Sequence, residues 1–215
     1  MKRNPVSGIY AITPETKDTA ALVAKVVAAL AGGIRLVQYR NKTGSDRLRR
    51  EQCAALLTHL RAVDGTLIVN DSSQLASDVD ADGVHLGKDD ETVAEARRRL
   101  GPDRIIGASC YNDVARARAL QAAGVDYVAF GSFFPSLTKP AAVAASMDLL
   151  ARAKSELKVP VVAIGGINKD NAVALIEAGA DAIAVVSALF SSDDVEQEAR
   201  VLSSLIGTRS MHLQY

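Results

Sequence analysis

The sequence predicts an α/β protein: a closed (β/α)8 TIM barrel folded as a single compact domain over residues 1–215. Three observations carry that prediction. Apolar, often β-branched runs alternate with helical patterns along the whole chain. These runs are nearly continuous in apolar character, as strands buried on both faces of a parallel sheet are. A local grammar also recurs, in which a helix end, a glycine or aspartate, and a strand follow one another: LAGGIRLVQ, DVDADGVHL, AAGVDYVAF and EAGADAIAV. Each copy returns the chain to begin the next parallel strand, and eight such units in 215 residues make a small barrel. The competing architecture, a doubly wound open sheet, usually has fewer strands, and no GxGxxG follows the first run.

Strands are expected at 8–13 (GIYAIT), 34–40 (IRLVQYR), 67–71 (LIVND), 83–87 (GVHLG), 105–110 (IIGASC), 127–134 (YVAFGSFF), 159–166 (VPVVAIGG) and 182–189 (AIAVVSAL). Helices intervene. The first, 16–30, is rich in Ala and Val and can start at Thr16. The second, 46–63, opens at the cap-like Ser45 and Asp46 and spaces Leu48, Cys53, Leu56, Leu57 and Leu60 along one stripe. Others are expected at 91–100, ending at Gly101-Pro102, and at 113–123, ending at Gly124. Two more are expected at 170–178, with Asn168 as its candidate cap, and at 193–205, ending near Gly207. The stretch after Asn70 supports only a short, weak helix. No Ser/Pro-rich linker divides the chain.

Hydrophobic residues make up 48% of the chain and charged residues 23%, which excludes a disordered protein. Lys+Arg (25) equals Asp+Glu (25), which argues against a nucleic-acid partner. No run of about 18 apolar residues is present, so no membrane partner is expected. The two cysteines, Cys53 and Cys110, form no CxxC pair, and His59, His85 and His212 show no HxxxH spacing, so a zinc site is not expected. The opening MKRNPVSGIY lacks the apolar stretch of a secretion signal, which makes the cytoplasm the expected location.

In a closed parallel barrel the active site forms where strands end and the following loops begin. Strand two ends in Gln38, Tyr39, Arg40, Asn41 and Lys42, strand three in Asn70 and Asp71, and strand four leads into Gly87-Lys88-Asp89-Asp90. Strand five ends at Ser109 and strand six leads to Ser136, Leu137, Thr138 and Lys139. Strand seven ends in Gly165-Gly166 and strand eight at Val186-Ser187. Gln38, Arg40 and Lys42 alternate, so in a strand they face one side. Such a set clamps a polyanion, although charges at a strand end also simply meet water. Asp71, with either Asp89 or Asp90, supplies hard oxygen ligands on adjacent loops that suit Mg2+ shared with substrate phosphates. Asp90 also precedes a helix, so capping competes with that role. Ser136, Thr138 and Lys139 offer hydroxyls and an ammonium to phosphates, or form an ordinary turn after Pro135. Gly165-Gly166 with Val186-Ser187 fit the phosphate site that barrels place after strands seven and eight. His85, mid-strand in VHL, reads as a packed, hydrogen-bonded histidine rather than a catalytic one, and Cys110 as a small core residue.

Taken in order, GGIRLVQYRNK, IVND, ADGVHLGKDD, IIGAS, DYVAFGSFFPSLTK, VAIGGI and AVVSA resemble the thiamine phosphate synthase family over residues 8 to about 187. The resemblance implies a transferase that condenses an aminopyrimidine diphosphate with a thiazole phosphate, giving thiamine phosphate and diphosphate. It implies Mg2+-assisted, carbocation-like departure of diphosphate and attack by the thiazole nitrogen, chemistry that needs no protein nucleophile. By the same resemblance, Gln38, Tyr39, Arg40, Asn41, Lys42, Asn70, Ser109 and Lys139 bind the pyrimidine diphosphate. Ser136, Leu137, Thr138, Gly165, Gly166, Val186 and Ser187 bind the thiazole phosphate. Asp71 and Asp90, rather than Asp89, hold Mg2+, and the catalytic weight falls on Lys139, Arg40, Lys42 and Ser109. Lys88 stands where the family usually has Gln, and Ser136 where Thr is common. The implied partners are two small molecules, and a homo-oligomer is compatible with this reading. The alternatives are the related thiazole tautomerase and a catalytically silent thiazole-phosphate-binding regulator of the same fold. Asp71, Asp90, Arg40, Lys42 and Lys139 together favour the synthase, and the paired IVND and HLGKDD motifs argue against another phosphate-binding barrel, such as an enzyme of tryptophan synthesis.

Overall fold

A computed structural model of the chain describes residues 6–135 and 145–207. Its strands are β1 (Gly8–Ile12), β2 (Leu36–Tyr39), β3 (Thr66–Asn70), β4 (Gly83–Leu86), β5 (Ile105–Tyr111), β6 (Tyr127–Phe130), β7 (Val161–Ile164) and β8 (Ala182–Val185). They pair in parallel in chain order, and β8 returns to β1 with Ala182 opposite Gly8 and Val185 opposite Ala11, so the barrel is closed. The helices are α1 (Thr19–Ala31), α2 (Asp46–Arg61), α3 (Ser73–Asp78), α4 (Val93–Leu100), α5 (Val114–Ala122), α6 (Met147–Glu156), α7 (Ala172–Glu177), α8 (Ser187–Phe190) and α9 (Val195–Gly207). Among the described residues no helix is long and apolar enough to cross a membrane.

Several boundaries differ from expectation for identifiable reasons. β6 stops at Phe130, and the last expected strand turns into α8 after Val185. Phe133 in the loop after β6 and Leu189 and Phe190 in α8 are buried in the core, and in a linear pattern such residues look like more strand. α1 begins at Thr19 because the Asp18 carboxylate accepts the Ala21 N–H. α7 is capped at Asn171 rather than Asn168, and the Asn171 Oδ1 instead accepts the Asn168 N–H. α6 has no counterpart among the expected helices. It is capped by Ser146 through the Leu149 N–H and buries Leu150 and Ala153 on a narrow stripe.

The recurring grammar has a structural cause. Asp82, Asp126 and Asp181 each precede a strand and accept a backbone N–H near the start of the neighbouring strand: Leu67 at 2.7 Å, Ile106 at 2.7 Å and Val161 at 2.8 Å. These carboxylates pin three strand pairs at the N-terminal rim. The opposite rim is left for chemistry, as is general in such barrels.

Alternation divides the core into two layers. Val37, Val69, Val84, Ile106, Val128 and Ile183 face the helices. Tyr10, Ile12, Leu36, Ile68, Tyr127, Val162 and Ala184 fill the barrel interior. Gln38, Asn70, His85 and Ser109 share the inward parity and stand above that apolar floor. Gly107 makes the floor feasible, since a Cβ there would lie 1.9 Å from Cζ of Tyr127.

Candidate active site

β2 delivers its residues to two different places. Gln38 points into the barrel and donates its amide to the Tyr10 hydroxyl at 2.9 Å. Tyr39, of opposite parity, lies under α2 and donates its hydroxyl to Gln52 Oε1 at 2.7 Å. Asn41 donates to the same oxygen at 3.1 Å and to the Thr16 carbonyl at 3.0 Å, and accepts the Gly44 N–H at 2.9 Å. The side chains of Tyr39 and Asn41 therefore hold the loop onto α2. They are turned that way, and not into the barrel with Gln38, because of the two-residue period of the strand.

The cations of this loop are already paired. Arg40 Nη1 lies 2.6 Å from Glu15 Oε1, and Lys42 Nζ lies 2.9 Å from Asp71 Oδ2. The sequence reading did not single out Glu15. Its signal was positional: the loop after β1, Thr13-Pro14-Glu15, occupies the same rim as the seven polar strand ends that were noted. Thr13 reinforces the arrangement by accepting the Arg40 N–H at 2.9 Å.

Asp71 and Asp90 converge, and neither serves as a cap. The N-cap of α3 is Ser72 and that of α4 is Thr92, which forms a capping box with Glu95. Asp71 sits at φ +64°, in a left-handed conformation that Asp adopts more readily than most residues. Its N–H donates to the His85 carbonyl at 2.8 Å. Asp90 folds back over the rim, its Oδ2 accepting the Gly87 N–H at 2.6 Å, while Asp89 is exposed. Burial, together with the facing Asp71 carboxylate, holds the Asp90 carboxyl above the usual range, against the opposing pull of the Gly87 N–H and Lys42. Two crowded carboxylates that repel one another are a donor set suited to a hard divalent cation such as Mg2+, with positions left for water and substrate phosphate. Among the described residues no third His, Cys, Asp or Glu joins them.

His85 is packed, as expected, and it also connects to the rim. Its Nδ1 is 2.9 Å from the Tyr127 hydroxyl and its Nε2 is 2.9 Å from Ser109 Oγ. Burial pushes its pKa down to about 4, with the Asp71 charge opposing. The unfolded chain takes up this proton below about pH 6.5 and the folded chain refuses it until about pH 4. Stability therefore falls as pH drops through that window, by up to about 3 kcal/mol for this group. Thermal melts at pH 7 and pH 5 should show a shallower loss in His85→Gln than in the wild type; equal losses would contradict a neutral buried imidazole.

The loop after β7 nests against the loop after β6. Gly165 and Gly166 have φ of +107° and +65°. A Cβ on Gly165 would meet Ser132 Oγ at 2.0 Å, and one on Gly166 would meet the Pro135 carbonyl at 2.4 Å. Val186 and Ser187 begin α8 on the same rim, where first-turn N–H groups have no partner within the helix. Ser136, Leu137, Thr138 and Lys139 lie outside the described residues.

Residues 9–189 match the sequence profile of the family described as Thiamine monophosphate synthase (TMP-TENI). The thiamine-phosphate synthase of Nitrosospira multiformis is 51% identical over 210 residues, covering 98% of this chain and 90% of that protein. The thiamine-phosphate synthase of Thiobacillus denitrificans is 54% identical over 198 residues, covering 92% and 94%. The solved structure of thiamine phosphate pyrophosphorylase from Pyrococcus furiosus matches with a TM-score of 0.85 at 36% identity, over 95% of this chain and 97% of that one. Profile, near-full-length identity and barrel agree: the chain belongs to the thiamine monophosphate synthase family.

Proposed function

We propose that this chain is a thiamine-phosphate synthase, joining an aminopyrimidine diphosphate to a thiazole phosphate with release of diphosphate. The observation that carries this reading is the convergence of Asp71, Asp90 and Lys42 on the rim that also holds Gln38, Asn70 and Ser109. Asp71 and Asp90 would hold Mg2+, which when bound neutralises charge on the diphosphate and makes it a better leaving group. Arg40 and Lys42, held at the mouth by Glu15 and Asp71, would take the diphosphate oxygens by exchanging partners, and Lys139 would add a third cation. Gln38, Asn70 and Ser109 would orient the pyrimidine ring. Gly165, Gly166, Val186 and Ser187, with Ser136, Leu137 and Thr138, would seat the thiazole phosphate. In the reaction the C–O bond to diphosphate breaks, its electron pair leaves with oxygen, and the thiazole nitrogen supplies the pair for the new C–N bond. The protein's work is alignment and charge stabilisation. A tautomerase would instead need a proton shuttle, and His85 has both ring nitrogens engaged. Two free, buried cysteines suit a reducing cytoplasm.

The test is diphosphate release from the purified protein given both substrates, with Mg2+ or each substrate omitted in turn. Release only in the complete mixture is expected. Thiazole phosphate binding without release would favour a regulator instead.

A further inference from the structure

Five polar groups cross the barrel interior from β2 to β5 without a break. Gln38 Nε2 donates to the Tyr10 hydroxyl at 2.9 Å, and the Tyr10 and Tyr127 hydroxyls are 2.8 Å apart. Tyr127 Oη lies 2.9 Å from His85 Nδ1, and His85 Nε2 lies 2.9 Å from Ser109 Oγ. Tyr10, Gln38, Tyr127 and His85 are buried. Tyr127 is further fixed by an edge contact with Tyr10, ring centroids 5.9 Å apart, and by stacking on His85 at 5.6 Å.

A hydroxyl carries one hydrogen and a neutral imidazole one N–H. Leaving no buried proton unpaired then fixes the whole chain once one link is set. With the Gln38 amide donating, Tyr10 donates to Tyr127, and Tyr127 donates to Nδ1 of His85. The imidazole proton sits on Nε2 and is donated to Ser109 Oγ. At the Ser109 end this leaves the hydroxyl hydrogen free to donate, and at the Gln38 end it leaves Oε1 free to accept; each end keeps one further site, the second hydroxyl lone pair and the second amide N–H.

We propose that Tyr10, Tyr127 and His85 are positioning residues whose one-way hydrogen-bond chain sets that polarity, matching the edge of an aminopyrimidine where an exocyclic N–H lies beside an unprotonated ring nitrogen. An oxopyrimidine carries the reversed edge, an acceptor beside a ring N–H, and offers neither a ring acceptor for the Ser109 hydroxyl hydrogen nor an exocyclic donor for Gln38 Oε1. Presenting that edge with the fully reversed polarity requires all five groups to reverse together, because one reversed group leaves two buried donors or two buried acceptors face to face. The identity of the ring rests on the proposed synthase reading; the direction of the chain does not.

Two measurements test this. Nitrogen-15 NMR of histidine-labelled, substrate-free full chain, with the His85 signals identified by their loss in His85→Asn, should show the Nε2–H tautomer, and Tyr127→Phe should release that preference. In kinetics, Tyr127→Phe and Tyr10→Phe should each raise KM for the aminopyrimidine diphosphate about 10-fold. The same variants should leave KM for the thiazole phosphate unchanged and narrow the preference for amino over oxo substrate. Two variants are used so that a folding failure in one leaves the other informative. An Nδ1–H tautomer in the wild type would overturn the proposal, as would a Tyr127→Phe protein with unaltered tautomer and unaltered KM values. If the wild type releases no diphosphate, the synthase reading and the ring assignment fall together, while the tautomer still decides the chain's direction.

Discussion

Asp71→Asn should lower turnover by on the order of 10²-fold or more with Mg2+ saturating, about 2.7 kcal/mol of transition-state stabilisation. Asn is the informative replacement because the site sits at φ +64°, a conformation Asn tolerates. The backbone N–H to the His85 carbonyl survives, so folding should be unaffected. What changes is charge: a carboxylate that faces Asp90 and holds Lys42 at 2.9 Å becomes neutral. Because both carboxylates would serve one cation, Asp90→Asn should cost a similar factor, and the double variant little more than either alone. Single-turnover diphosphate release measures the loss, and calorimetry with thiazole phosphate should show that the other substrate still binds. Near-normal turnover in Asp71→Asn would remove the metal role.

Gly107→Ala should cost about 3 kcal/mol or more, at or beyond the upper range for overpacking. The new Cβ would fall 1.9 Å from Cζ and 2.4 Å from Oη of Tyr127. The ring has nowhere to retreat, being wholly buried between Tyr10 and His85. For a domain of this size the melting temperature should drop by roughly 10 °C. Pairing the change with Tyr127→Ala should recover stability relative to the sum of the two single changes, since the second removes the atoms the first collides with. A melting temperature within a degree or two of the wild type would mean that the floor is looser than the distances indicate.

The positions of the strands were legible because both of their faces are buried, which writes them as apolar runs. Their ends were less so, since Phe133, Leu189 and Phe190 carry the same apolar signal while lying buried outside the strands. The rim followed from topology alone, and with it Gln38, Asp71 and Ser109. Spacing leaves Asp89 and Asp90 equal, and in space the Gly87 N–H and the facing Asp71 carboxylate single out Asp90. Glu15 was missed because a carboxylate in a Pro-Glu-Thr turn looks solvated until closure brings Arg40 across to it. Tyr10 and Tyr127 read as ordinary strand aromatics. Their hydroxyls acquire meaning only when residues 117 positions apart meet inside the barrel.

The pairing of β1 with β8 has a consequence for synthesis. On the ribosome, β1 emerges first, yet its second neighbour is made only when residues 182–185 appear, and α9, which packs on both β1 and α1, comes later still. Until then the nascent sheet carries two unpaired edges, the feature by which partly made chains stick to one another. A chain released before residue 182 has no local route to protect those edges, so premature termination before that point should yield insoluble product rather than a smaller working barrel.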